Sequence, residues 1–547
     1  MSSSAPSQNL AAPGPAVVVD RPSDPAELER YERDIGDPGS LPYTRGARAP
    51  RPADALTAAA ADDGTITREL SGEGPPGRSN QQFRALLEHG ATGLDVIGDT
   101  PTMAYMDPDH PLARNAVGNQ GVSICRATDW VELYDGIPLE RVSVSHSLPS
   151  AFAIAGLWIA AREHGVDPGV LRGSALQVPL YHEDTGYSAR LSFDLRMRLA
   201  LDSIEYATEQ MPRFHACVED TYYFSDGSIE IVDEIALGLI EIREIVRRLI
   251  ARGVDVDAFA PRIGVLVNCR MRLFDEVAKI RATRRLYARM MRDEFGARDS
   301  RSLAINVAAH TSGATMTACQ LTNNLVRGTV QTIALLLAGV RAMEISAFDE
   351  ALRTPSHEAH VVALRTQQVV QLESGVTDVP DPLGGSWYVE RLTDEVEQAI
   401  AERIRFIEGL GAIRELCKQG FFRGLFADAM VDRAAGIEAG SHPMVGVNRF
   451  AMDPDDDRLL RDLSQVRIEP SWDHVERIGH WKAGRDLGLL RRALDELEAT
   501  AREPDTNLMP ALVAALDAQA SSGECTGVLR VAHGDAYDPF GGGMERP

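Results

Sequence analysis

The chain lacks a basic excess. Its 56 lysines and arginines face 80 aspartates and glutamates, for a formal net charge of −24. A nucleic-acid binder would need a basic face instead. Paired cysteines are also missing: Cys125, Cys217, Cys269, Cys319, Cys417 and Cys525 stand apart with no CxxC among them. That argues against structural zinc and for a reducing, cytoplasmic setting. No run of about 18 apolar residues occurs, so no membrane span is expected. The opening MSSSAPSQNLAAPGPA has neither a basic n-region nor a long apolar core, unlike a secretory signal. Rich in Ser, Ala and Pro, residues 1–25 read as a disordered tail.

What is present is a long chain able to bury a large core. Its 547 residues are 44% hydrophobic, enough for two or three domains. Residues 26–79 alternate polar, Pro and Gly residues and read as an N-terminal arm. A rhythm then begins. Short β-like runs fall at 92–98, 141–147, 174–179, 214–219, 262–269, 303–309, 341–346 and 375–379, with helical patterns between them. One such helix spans Ile229 to Ile250 and another Phe274 to Met291. Eight strand–helix repeats predict right-handed crossovers, a parallel sheet and an α/β fold, the (β/α)8 TIM barrel, over residues 80–395. Residues 396–547 read as a helical C-terminal region.

Several strands carry small or polar residues at alternate positions: Ser143 and Ser145, Ala175 and Gln177, Asn306 and Ala308. Alternation puts each pair on one strand face. Facing inward, they make the barrel hollow enough for a ligand; facing outward, they are close-packing contacts with helices.

The most informative stretch is Ser346–Glu390, where an acidic turn, an amphipathic helix and a Gly/Pro-rich loop follow an apolar run. Together with PYTRG (42–46), DPDHP (107–111), LYDGIPLERVSVS (133–145), APRIG (260–264), DEVAKIRATRRLYARM (275–290), HTSGATMTA (310–318), NNLVR (323–327) and VGVNRF (445–450), it resembles one family. That family is the coenzyme B12-dependent acyl-CoA mutases, including methylmalonyl-CoA and isobutyryl-CoA mutase large subunits. The resemblance covers roughly residues 40–530. It implies a barrel that encloses an acyl-CoA, an adenosylcobalamin cofactor and radical isomerase chemistry. The cobalt-ligating DxHxxG motif is absent from the sequence. A separate small cobalamin-binding subunit is therefore implied, assembled as a dimer of large–small pairs.

The resemblance also implies site residues, several of them altered. ITRELSGEG (66–74) stands where the family has an aromatic-bearing motif; Leu70 takes the aromatic's place and Gly72 keeps the glycine. An aliphatic side chain there suits a branched or less polar acyl chain. In DTYYFSDGS (220–228), Tyr222 keeps a family tyrosine, Tyr223 replaces a histidine and Asp226 replaces a glutamate. A phenol can donate a hydrogen bond to a thioester carbonyl but is a far weaker acid than imidazolium. Tyr223 is either that donor or a filler in a dead site. Gln177 matches a glutamine that reaches the thioester, and Arg262 an arginine on the phosphate or pantetheine. Tyr187 falls where methylmalonyl-CoA mutases carry the arginine for the substrate carboxylate, which disfavours that substrate. His310 stands at a glutamine that meets adenosyl, Glu350 matches a glutamate on the adenosyl ribose, and Ser346 replaces an asparagine.

Residues 47–65 contain no aromatic where the family wraps CoA with several. An acyl group carried on a carrier protein, rather than on CoA, is the corresponding expectation. His357 and His360 in HEAH, one residue short of a zinc-protease motif, and the acidic run Asp453–Asp457 are expected to bind no metal. His146 and His182 lie near strand ends, where either could contact substrate or simply pack. The altered positions leave a second reading open, a mutase-like scaffold that kept the barrel and lost the chemistry.

Overall fold

Nine parallel strands form one sheet in the computed structural model, which describes residues 65–184, 189–378 and 381–547. They are β1 (Ile66–Thr67), β2 (Leu70–Ser71), β3 (Gly93–Ile97), β4 (Ser143–Ser147), β5 (Arg172–Gln177), β6 (Phe214–Asp220), β7 (Ile263–Cys269), β8 (Asn306–Thr311) and β9 (Ala342–Glu344). The described residues all belong to a unit spanning Pro42–Pro547. The sheet order is β1-β9-β8-β7-β6-β5-β4-β3-β2, so its two ends are β1 and β2. Only Arg68 and Glu69 separate those ends.

That pair of short strands closes the barrel. Ile66 and Thr67 pair with Ala342 and Met343, while Leu70 and Ser71 pair with Asp95 and Val96. One interrupted strand thus holds both edges, which leaves eight strand positions and no open edge. Helices after these positions include Ser150–Glu163, Phe193–Gln210, Ile231–Ala251, Leu273–Arg289, Asn323–Ala338 and His357–Glu373.

The eighth strand expected at 375–379 is therefore corrected. Its described part, 375–378, is a turn in which the Asp378 amide donates to Gly375 O (3.1 Å) and Gly375 has φ +71°. The missing strand lies at 66–71, where Arg68 and Glu69 interrupt any apolar pattern. Both are buried.

Strand faces divide as alternation requires. Leu94, Val96, Val144, Val265, Val267, Val307, Ala309 and Met343 join the hydrophobic core shared with the helices. The inward face is polar. Ser145 meets Arg68 and Ser174 there, and Asp95, Glu344 and His310 alternate with the apolar residues. The hollow-barrel expectation fits Ser145 but not Ala175, which belongs to the helix-facing core.

Two family motifs meet outside the barrel. Arg281, fully buried, holds Asp381 (2.8 Å) and Glu390 (2.5 Å). The DPLGGSWYVE loop is thereby clamped to the helix of DEVAKIRATRRLYARM. Helix Trp387–Gly409 then buries Val396, Ile400, Ile404 and Ile407, and Leu490, Leu494, Leu512 and Leu529 of the later helices join the same core.

Candidate active site

At the C-terminal ends of the strands lies a cavity of about 730 Å³, the end at which barrels of this type place their chemistry. Its floor is ionic. Arg68 reaches Asp95 (3.0 Å) and Glu344 (3.2 Å) and also bonds Ser145. Burial, then the Glu344 charge, pushes the Asp95 carboxyl up to about 7 against the pull of Arg68.

The wall from β6 to β9 is a closed network. Asp220 ends β6, and its side chain accepts the Tyr223 amide (3.0 Å), capping the short helix Thr221–Ser225. That cap displays both tyrosines at the strand end. Tyr222 lies against His310, ring centroids 4.5 Å apart. Asp226 accepts from Ser312 Oγ (2.7 Å), Ala314 N (3.1 Å) and Asn268 Nδ2 (3.4 Å). Glu350 accepts the Ala347 amide (3.0 Å). Burial pushes the Glu350 carboxyl upward, opposed by His310 and assisted by Asp226. Gly313 sits where these groups converge. A Cβ there would stand 3.2 Å from both Asp226 Oδ2 and Glu350 Oε1, and 3.5 Å from the Tyr222 hydroxyl.

The wall from β2 to β5 is more open. Leu70 and Gly72 line it. Gly72 has φ +148°, and a Cβ would meet Ile97 O at 2.6 Å, so glycine is required there. Gln177 lines the cavity too, with both amide N–H donors used inside the protein. It accepts from Ser150 Oγ (2.8 Å) and donates to Ser203 Oγ (3.1 Å) and Ala216 O (2.9 Å). Tyr223 stacks with His182, centroids 6.4 Å apart. Tyr105, Arg196 and His360 also line the cavity, none of them expected there from sequence.

Eight of the eleven expected site residues meet at this cavity: Leu70, Gly72, Gln177, Tyr222, Tyr223, Asp226, His310 and Glu350. Two described ones do not line it. Ser346 donates its hydroxyl to Thr311 O (2.8 Å) and its amide N–H to the Thr311 hydroxyl oxygen (2.7 Å). Arg262 sits just before β7, at the opposite end of the barrel, and donates Nε to Pro212 O (2.7 Å). Tyr187, and residues 47–64 of the aromatic-free stretch, lie outside the described residues.

The two strand-end histidines separate cleanly. His182 lines the cavity. His146 faces the helices, holding the Tyr134 hydroxyl (2.7 Å) and Ser174 O (3.1 Å), and burial lowers it to about 4. Among the described residues no group of three His, Cys, Asp or Glu is placed to hold a metal. The acidic run instead turns the chain: Asp453 caps Asp455 (3.0 Å) and Asp457 accepts from Gln320 N (2.6 Å).

Known proteins are similar to this chain over nearly its whole length. The family model for methylmalonyl-CoA mutase matches residues 16–535. The 2-hydroxyisobutanoyl-CoA mutase large subunit of Aquincola tertiaricarbonis is 33% identical over 504 residues, covering 91% of this chain and 87% of that one. Methylmalonyl-CoA mutase of Rhizobium meliloti (strain 1021) is 33% identical over 506 residues, 91% of this chain and 69% of its own. The Escherichia coli (strain K12) methylmalonyl-CoA mutase is 31% identical over 513 residues, 93% and 70%. The barrel, its polar interior and these matches lead to one conclusion: the chain belongs to the methylmalonyl-CoA mutase family.

Proposed function

We propose that the chain is the substrate-binding large subunit of an adenosylcobalamin-dependent acyl mutase, acting on an acyl thioester other than methylmalonyl-CoA. The observation that carries the reading is the convergence of Tyr222, Asp226, His310 and Glu350 on one wall of a barrel cavity. When bound, adenosylcobalamin supplies a cobalt–carbon bond whose cleavage starts radical chemistry.

The residues present fit its adenosyl group. Asp226 and Glu350 bring carboxylate oxygens to either side of Gly313, acceptors suited to ribose hydroxyls. They do not supply the cobalt ligand, since the sequence has no DxHxxG. A small cobalamin-binding subunit is the proposed partner, in a dimer of large–small pairs and in the cytoplasm. One relative is itself a large subunit.

The chain's own work is binding, orientation and exclusion of water. Tyr223, held at the strand end through its amide on Asp220, offers a phenol to the thioester carbonyl. Gln177 fixes that region through Ser150 and Ser203. Leu70 shapes the pocket for an aliphatic group, and Tyr187 lacks the charge that a methylmalonyl carboxylate would meet. The aromatic-free residues 47–65 favour an acyl group delivered on a carrier protein; faster turnover of the matched acyl-CoA would sink that part.

The test is reconstitution with a DxHxxG small subunit and adenosylcobalamin. A cob(II)alamin resonance that depends on a branched acyl thioester supports the enzyme. No signal with any such thioester supports the scaffold reading.

A further inference from the structure

We propose that Glu219 and Glu241 hold a proton between them and so position the cavity wall that carries Gln177, Arg196 and Tyr223. Neither residue lines the cavity; the pair stands behind it. The thioester role of that wall rests on the reading above, and the shared proton does not.

Glu219 sits on β6, next to Asp220, and Glu241 in helix Ile231–Ala251. They are 1% and 0% exposed, and their carboxyls hydrogen-bond each other. Both oxygens of Glu219 and Oε2 of Glu241 are buried with no partner from any other described residue. An ionised carboxylate only accepts, so two of them cannot bond without a proton. Two like charges shut away from water cannot both persist either. Burial, then the Glu241 charge, pushes the Glu219 carboxyl upward; burial pushes Glu241 up to about 8.

The groups that face the pair leave it the proton. Burial raises the Tyr181 hydroxyl, takes the Cys217 and Cys417 thiols to about 12, and takes Asp220 to about 7. Arg196 is the cation whose charge reaches Glu241, yet its own Nε and Nη1 are buried and bonded to nothing.

The pair ties two strand ends together. Glu241 Oε1 accepts the Leu180 amide (2.5 Å), in the loop that leaves Gln177 on β5. Glu219 directly precedes Asp220, whose side chain accepts the Tyr223 amide (3.0 Å). The helix presses on the pair from behind: a Cβ on Gly238 would stand 3.3 Å from Glu219 Cγ. When base in solution removes the last proton, the two carboxylates repel. Glu241 then turns to the unused N–H groups of Arg196, drawing the Leu180 loop with it and Arg196 off the cavity wall. The folded chain keeps a proton that the unfolded chain gives up above about 4.5, so the pair weakens the fold as pH rises toward 8.

Infrared difference spectra of the full chain test the proton, wild type minus Glu219→Gln/Glu241→Gln. A carboxylic-acid C=O band at neutral pH, lost as pH passes about 8, is expected; no band overturns the proposal. Amide exchange tests the positioning. Peptides 176–184 and 220–226 of the wild type should lose roughly fivefold in protection between about pH 7 and 9, against a flat profile in the double variant. Equal profiles overturn the positioning role, and exchange that follows potassium instead of pH overturns the shared proton in favour of a bound cation. Glu219→Gln alone, whose amide can donate to Glu241, takes over both measurements if the double variant fails to fold. In the reconstituted complex the same rise in pH should increase the wild-type KM for the thioester and spare kcat. Absence of turnover at every pH strikes the acyl-thioester reading alone, and the infrared and exchange results still decide the pair.

Discussion

On the β6–β9 wall, Asp226 alone gathers Ser312, Ala314 and Asn268, and Glu350 is tied to Ala347. On the β2–β5 wall, Arg196 leaves two nitrogens unbonded and Leu70 offers no polar side-chain atom. On the first wall Asp226 and Glu350 are held by the protein's own groups before any ligand arrives. On the second, Gln177 is held by Ser150 and Ser203 while Arg196 is not, so that wall is only partly satisfied from within. One wall of a cavity can stay fixed in a fold while the opposite wall changes what the cavity accepts.

Breaking the floor beneath both walls should do the most damage. Arg68→Met leaves Asp95 and Glu344 buried without their cation, a loss of about 4 kcal/mol by urea unfolding. Equal stability to the wild type would show that the floor does not hold the walls together. Gly72→Ala attacks the open wall: its Cβ would meet Ile97 O at 2.6 Å and Val122 N at 3.1 Å, both backbone. The expected cost is about 3 kcal/mol, measured the same way.

A pH series sharpens the comparison at His360, which lines the cavity and whose Nδ1 is buried without a partner. Burial, then the His357 charge, lowers it to about 4 from 6.5. The unfolded chain takes up a proton that the folded one refuses. The stabilising contribution is therefore full above about pH 6.5 and is lost as pH falls toward 4, about 2 kcal/mol by pH 5. Asp95 and Asp220, both raised to about 7 by burial, work in the opposite sense: they weaken the fold as pH rises from 3.8 toward 7. The difference between wild type and His360→Leu isolates the histidine; parallel curves would reject it. Asp226→Asn, on the closed wall, should cost only about 1 kcal/mol. It should still reduce the substrate-dependent cob(II)alamin signal of the reconstituted complex by roughly tenfold. An undiminished signal would separate that network from the chemistry.

The comparison also explains what could be read from the sequence. Seven of eight expected strands exist because a parallel strand buried on both faces needs apolar residues on its helix side, as in Val265 and Val267. The strand at 66–71 escaped because buried charges interrupt it. Arg68 and Glu69 look like surface residues until their partners, Glu344 and Gln367, come from some 275 to 300 residues away. Gly-Val-Thr-Asp at 375–378 has strand-like residues but forms a turn. Local propensity cannot see a tertiary pairing. On the site, the closed wall was legible because its residues sit within motifs. Arg196 was not, because an arginine on an amphipathic helix reads as a solvated charge, and only the fold shows it buried.

The seam at 66–71 sets a timetable for making the protein. Ile66 finds its partner Ala342 only after 276 further residues, a contact of very high sequence separation. Such closures are slow, because loop entropy is spent before any pairing returns it. A chain growing on a ribosome has long since released residues 66–71 when β9 emerges, and until then both edges of the sheet stay open to other strands. Leu70 and Gly72 ride on that seam, so the ligand-facing wall comes into being in the same step that seals the barrel.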